Sequence, residues 1–100
     1  MKFLEAYLDQ IRDLCRKYGV AELYAFGSVL REDFGPASDV DFLVVFNRDR
    51  STNAFHQFFE FKEGLEALLK RRVDLVCYNA IRNPVFKRAV DQTREPVYAA

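Results

Sequence analysis

Apolar residues recur at helical spacing through the start of the chain: Phe3, Leu4, Tyr7, Leu8, Ile11, Leu14, Cys15 and Tyr18. The pattern predicts an amphipathic helix over residues 2–18, closed by Gly19. The period then changes. Val20 to Phe26 contains the apolar run Leu23-Tyr24-Ala25-Phe26, consistent with a short buried strand that Gly27 ends. A short helix from Val29 to Asp33, starting just after Ser28, and a loop at Phe34-Gly35-Pro36-Ala37 complete this part.

Asp39 to Phe46 is the clearest strand. Val40, Phe42, Val44 and Phe46 share one face; Asp41, Leu43 and Val45 share the other, with Asp39 at the start. Both faces are apolar beyond the acids, which predicts a central strand covered on both sides. A polar loop, Asn47 to Asn53, leads to a helix over residues 53–69. Phe55, Phe58, Phe59, Phe61, Leu65, Leu68 and Leu69 give it a wide apolar face, and most of these phenylalanines are expected in the core. Val73 to Tyr78 forms a third strand, with Asp74 and Val76 on one face. Asn83-Pro84 opens a last helix over residues 84–92, and Val97-Tyr98 adds a short edge strand. Helices and strands alternate, which predicts an α/β (α+β) chain: a sheet covered by helices.

With 100 residues the expectation is a single domain, 1–100, with one core and an open cleft rather than a large enclosed pocket. Fifteen basic and fifteen acidic residues argue against direct nucleic-acid binding through phosphate attraction. The short clusters Lys70-Arg71-Arg72 and Lys87-Arg88 read as solvated rim. The apolar stretches are too short for a membrane span, and Met1 to Glu5 lacks a signal-peptide pattern, so a cytoplasmic location is expected. Cys15 and Cys77 stand apart and read as small buried hydrophobes, with a disulfide left open. His56, the only histidine, gives a zinc site or a His-based triad little to work with.

The candidate chemistry lies in residues 27–41. Gly27-Ser28 is followed, after ten residues, by Asp39-Val40-Asp41. Positions i and i+2 of a strand point to one side, so Asp39 and Asp41 direct two carboxylates into one space. Their repulsion calls for a cation, and hard oxygen ligands suit Mg²⁺ or Mn²⁺. Asp74, on a neighbouring strand with matching facing, would add a third carboxylate, enough for two ions, or would accept a proton. Asp41 and Asp74 both interrupt apolar strands, where an idle carboxylate is costly. Glycine at 27 lets a backbone approach a phosphate, a helix start behind it would present free N–H groups, and Ser28 adds a hydroxyl donor. Arg31, about one turn on, could reach the same phosphates. No Walker lysine is present, so the segment is not a P-loop.

These residues resemble the nucleotidyltransferase superfamily that includes DNA polymerase beta, and most of all its minimal nucleotidyltransferase (MNT) group. Gly27-Ser28, ten residues, then Asp39-x-Asp41 meets the signature without a gap; Arg31 matches three residues after the serine, and Val73-Asp74-Leu75-Val76 resembles the segment bearing the third carboxylate. Leu30 and Glu32 depart from it, standing where many members carry a small residue and a glycine. The resemblance implies a nucleotidyltransferase fold, a small mixed sheet flanked by helices, and an enzyme that uses ATP with Mg²⁺, two ions when ATP is bound. Asp39, Asp41 and Asp74 would be catalytic metal ligands, and Gly27, Ser28 and Arg31 would bind nucleotide. It further implies a HEPN-domain toxin as partner, with this chain as antitoxin transferring AMP to a toxin tyrosine. Neutralisation by binding alone and transfer to a small molecule are the alternatives, and a homo-oligomer stays open.

Overall fold

The computed structural model describes residues 2–31 and 34–100. Its elements are α1 (Lys2–Glu5), α2 (Leu8–Lys17), β1 (Val20–Phe26), a 3₁₀ turn (Gly27–Leu30), β2 (Val40–Phe46), α3 (Ala54–Leu69), β3 (Val73–Cys77), a second 3₁₀ turn (Tyr78–Ala80), α4 (Pro84–Thr93) and β4 (Glu95–Ala99). The sheet is mixed, in the order β3-β2-β1-β4, with β2 and β3 parallel and the other pairs antiparallel.

The alternation in β2 divides the core. Val40, Phe42 and Val44 join Leu23, Ala25, Val73 and Leu75 under Leu4, Ile11, Cys15, Phe61, Leu65 and Leu69 of α1, α2 and α3. Val20 belongs here too, because the irregular register between Val20 and Glu22 shifts the side-chain alternation by one. On the opposite face, among the described residues, only Phe26, Leu43 and Val90 form a buried cluster, with Tyr24, Val76, Tyr78 and Ile81 packed around them. Thus β2 is central, as its pattern predicted, but its two faces are covered unequally. Val90 is the one buried residue of α4.

Local chemistry fixes the helix starts. Asn53 Oδ1 accepts the His56 N–H at 3.1 Å, and Asn83 Oδ1 accepts the N–H groups of Val85 and Phe86 at 2.9 and 3.2 Å. Gln57 Nε2 donates to the carbonyls of Tyr18 and Asn47 at 2.8 and 3.1 Å, tying α3 to the ends of α2 and β2.

Several expectations are corrected. The first helix is two pieces, because Tyr7 leaves helical geometry (ψ 2°). The break turns Phe3 toward Phe34, whose ring centroid lies 5.2 Å away. The turn expected over Val29 to Asp33 instead begins at Gly27 and is 3₁₀ in form; the expectations for Glu32 and Asp33 fall outside the described residues. Asp39 lies just before β2 rather than within it. The aromatic face of α3 splits: Phe61 is buried, whereas Phe55 and Phe59 are 68% and 42% exposed. Both cysteines are free thiols; burial pushes Cys15 up to about 12, while Cys77 is only half-buried.

Phe61 meets Tyr18 and Phe46 edge-to-face or tilted, at 6.2 and 5.9 Å between centroids. Truncating it to alanine is expected to cost about 3–5 kcal/mol, whereas Phe55→Ala in the same helix should stay within about 0.5 kcal/mol. Urea unfolding of the two variants against the parent checks this difference.

Candidate active site

The thinly covered sheet face carries the acids. Phe26 of β1 stands opposite Asp41 of β2, and Asp41 stands opposite Asp74 of β3, so these three positions form one row across the sheet. The next row along, Tyr24, Leu43 and Val76, is the apolar floor under α4. α4 ends this floor with Phe86, whose ring meets Phe26 edge-on at 6.0 Å. Asp41 is half-buried and Asp74 and Asp39 are exposed, which makes this an open site.

Gly27 closes over the row. Its φ is +72°, a conformation that favours glycine, and a Cβ there would run into Asp41 Oδ2. The glycine is thus required both by its backbone and by its contact with the carboxylate. The Ser28 backbone N–H also reaches Asp41. The Ser28 hydroxyl donates to the Asp39 carbonyl at 3.0 Å, tying the turn to the acidic segment. Its single proton is engaged by the backbone in this arrangement. Arg31 ends the turn, its N–H donating to the Ser28 carbonyl at 3.0 Å, and its charge lies near enough to favour ionised Asp41.

The electrostatics of Asp41 summarise the site. Burial is the largest influence and pushes its pKa above the ordinary 3.8; the negative charges of Asp74 and Asp39 push the same way. The Ser28 N–H and Arg31 oppose them without cancelling them. Among the described residues no ion pair engages Asp39, Asp41 or Asp74. Nor do three His, Cys, Asp or Glu side chains of the described residues converge as a ready cation cage. The donors that are present, the carboxylate oxygens of Asp41, its strand neighbour Asp74 and nearby Asp39, fit a hard divalent ion, whose charge would offset their mutual repulsion. Mg²⁺ characteristically takes one or two carboxylates and completes its shell with water and substrate phosphates, which an incomplete, open set permits.

One residue of this region gave no sequence signal. Arg71, expected on a solvated rim, lies over the paired rings of Phe3 and Phe34, 4.4 and 4.5 Å from their centroids. Its Nη1 donates to the carbonyls of Gly35 and Ser38 at 2.6 and 3.2 Å. Its partners are dispersed along the chain, so no spacing announced them.

Fold and site together define a nucleotidyltransferase. A family model described as nucleotidyltransferase domain matches residues 8–95, and the chain belongs to that family. A relative from Thermococcus cleftensis, named protein adenylyltransferase MntA, is 39% identical over 87 residues, covering 87% of this chain and 82% of the relative. A solved minimal nucleotidyltransferase superposes with a TM-score of 0.78 at 30% identity, covering 95% of this chain and 93% of its own. A Shewanella oneidensis complex of a tri-AMPylated HEPN toxin with its MNT antitoxin shares the fold, with a TM-score of 0.63 at 22% identity over 93% of this chain and 70% of that one.

The raised Asp41 value has a definite consequence. Native Asp41 holds its proton more tightly than the unfolded chain does. Its contribution to stability is therefore fully present below the ordinary aspartate range and is lost as pH rises through the native value. Against the opposing rise from Asp49, whose pKa is held low by its hydrogen bonds, Asp41 should subtract melting temperature across that interval, so metal-free Asp41→Asn should gain stability relative to the parent as pH rises. Melting curves in chelator between pH 3.5 and 7 are the measurement, approximately spanning the aspartate range; an unchanged slope in Asp41→Asn would contradict the assignment.

Proposed function

We propose that this chain transfers AMP from ATP to a tyrosine hydroxyl of a HEPN-domain toxin, acting as its antitoxin with Mg²⁺ in the cytoplasm. The observation that carries the reading is the opposition of Asp41 and Asp74 beneath Gly27. It creates a negatively charged, open row directly beside a glycine whose backbone can approach a phosphate. Family membership supports nucleotidyl transfer, and the AMPylated partner in the Shewanella complex supports a protein acceptor. No helix among the described residues is long and apolar enough to cross a membrane.

In this reading Asp39 and Asp41 hold the metal, and Asp74 completes the set or takes the acceptor proton. The bound ions would neutralise phosphate charge and lower the barrier to attack. Gly27 brings the turn close to the triphosphate, while Ser28 and Arg31 position it. The tyrosine oxygen forms a bond to the α-phosphorus, the bond from that phosphorus to the β-phosphate oxygen breaks, and pyrophosphate leaves. The tyrosine proton passes to Asp74 or to water, leaving a phosphodiester between tyrosine and AMP. Residues 1–100 act as one nucleotidyltransferase domain.

A second reading, inhibition by binding alone, draws on the exposed Phe55 and Phe59, whose rings lie 4.6 Å apart and offer an apolar contact. Asp41→Asn separates the two. Under the catalytic reading, partner mass after incubation with ATP and Mg²⁺ increases by one or more AMP groups, and Asp41→Asn reduces the rate by about 10²-fold or more. Continued protection from the toxin by Asp41→Asn would favour binding alone.

The incomplete cation cage adds a further expectation: metal and nucleotide should bind together. ATP should tighten Mn²⁺ binding, and Mn²⁺ should tighten ATP by the same factor, on the order of tenfold. Electron paramagnetic resonance titration with and without ATP measures the coupling, and independent binding would count against a shared site.

A further inference from the structure

We infer that Arg71 is a positioning residue that sets the placement of Asp39, and with it the geometry of the carboxylate row. Asp39 is exposed and precedes β2, so strand packing does not fix it. Its backbone is held from both sides instead. On one side, the Asp39 carbonyl accepts the Ser28 hydroxyl at 3.0 Å. On the other, the preceding Ser38 carbonyl accepts Arg71 Nη1 at 3.2 Å, and the same nitrogen binds the Gly35 carbonyl at 2.6 Å.

The segment between those carbonyls is a closed turn. The Ser38 N–H donates to the Gly35 carbonyl at 3.0 Å, and the Gly35 N–H donates to Ser38 Oγ at 3.2 Å. Arg71 therefore grips a preformed unit rather than a loose strand of chain. The Val40 N–H donates to the carbonyl of Arg72 at 3.0 Å, so the next peptide along also ties the acidic segment to the start of β3.

What orients Arg71 is the pair of rings. Phe3 and Phe34 pack against each other, 5.2 Å between centroids, and the guanidinium rests over both, its central carbon 4.4 and 4.5 Å from the two centroids. The aromatic pair holds the guanidinium where Nη1 reaches both carbonyls; a lysine would keep the charge but lose the planar group with its fixed donors. This arrangement also explains the broken N-terminal helix. The turn at Ala6–Tyr7 separates α1 from α2, and α1 delivers Phe3 to the stack.

The consequence for metal affinity rests on Asp39 being a metal ligand, as proposed above; the anchoring of the turn does not. Two measurements keep them apart. In Arg71→Ala, amide exchange at Ser38 and Val40 should accelerate at least about tenfold relative to Leu43 and Val44 in the middle of β2. Mn²⁺ affinity in the presence of ATP should fall by about tenfold, as for loss of an outer support to a metal ligand. The loss should shrink strongly when Arg71→Ala is placed in an Asp39→Asn background, because the ligand it positions is already gone.

Unchanged exchange at Ser38 and Val40 would overturn the anchoring role, whatever the metal data. Accelerated exchange with an undiminished Mn²⁺ loss in Asp39→Asn would overturn the action through Asp39. Arg71→Lys provides the milder variant: it should restore little of the lost Mn²⁺ affinity, and full rescue would overturn the role of the guanidinium as more than a positive charge.

Discussion

The pairing of Asp41 with Asp74 across parallel strands is the constraint around which the molecule is arranged. Two carboxylates in neighbouring strand positions on one face repel, and burial adds to the cost for Asp41. A fully covered sheet would make that cost severe. Here the cost is limited because α4 covers the face only partly, leaving the acidic row beside solvent. The stability that the open face forgoes comes from the other side. There Val40, Phe42 and Val44 lie under three helices, within a continuous apolar cluster. The same strand thus serves two environments, and its period of two separates them.

Connection geometry follows from that division. β1 runs antiparallel to β2 and places Phe26 opposite Asp41, so the chain leaves β1 beside the carboxylate. It must turn without adding a side chain to that space. Gly27 permits this, with its positive φ and the absence of a Cβ that would strike Asp41. The chain then has to return to the start of β2 with Asp39 facing the same region. Ser28 and Arg71 hold the return from opposite ends of one peptide segment. Fold and candidate chemistry are therefore coupled through backbone carbonyls as much as through acidic side chains.

What the sequence revealed depended on whether the relevant contacts were local or periodic. The alternation from Val40 to Phe46 located the central strand, but whether Asp74 shares a face with Asp41 depended on strand neighbours and register, which the parallel β2–β3 pairing supplies. Asn53 and Asn83 announced helix starts because capping acts over only two or three residues. Tyr7 misled because it fits the apolar period of a continuous helix, while the break depends on where Phe3 packs. Phe55 and Phe59 lie off the stripe of Phe61, Leu65 and Leu69: at 100° per residue Phe59 is about 200° round the helix from Phe61, so an apolar face drawn through all of them was too wide. Arg71 is the clearest limit: Phe3 and the Phe34, Gly35 and Ser38 segment lie far from it in sequence, and a short basic run carries no sign of a guanidinium held over aromatic rings.

An open row of carboxylates is physically suited to the proposed reaction. A complete protein cage would satisfy an ion before substrate arrived and leave few coordination positions for phosphate. An open carboxylate row does the opposite: it remains repulsive until an ion supplies positive charge, and the ion remains under-coordinated until phosphate supplies oxygen. Each component then improves the binding of the other, and the repulsion that raises Asp41's proton affinity becomes part of the drive for joint assembly. The low level of packing on this face therefore serves the chemistry, since a site waiting for an ion and a triphosphate must leave space for both. Precision must then come from the frame around that space, from the close Gly27 backbone and from the held Asp39 segment, rather than from enclosure.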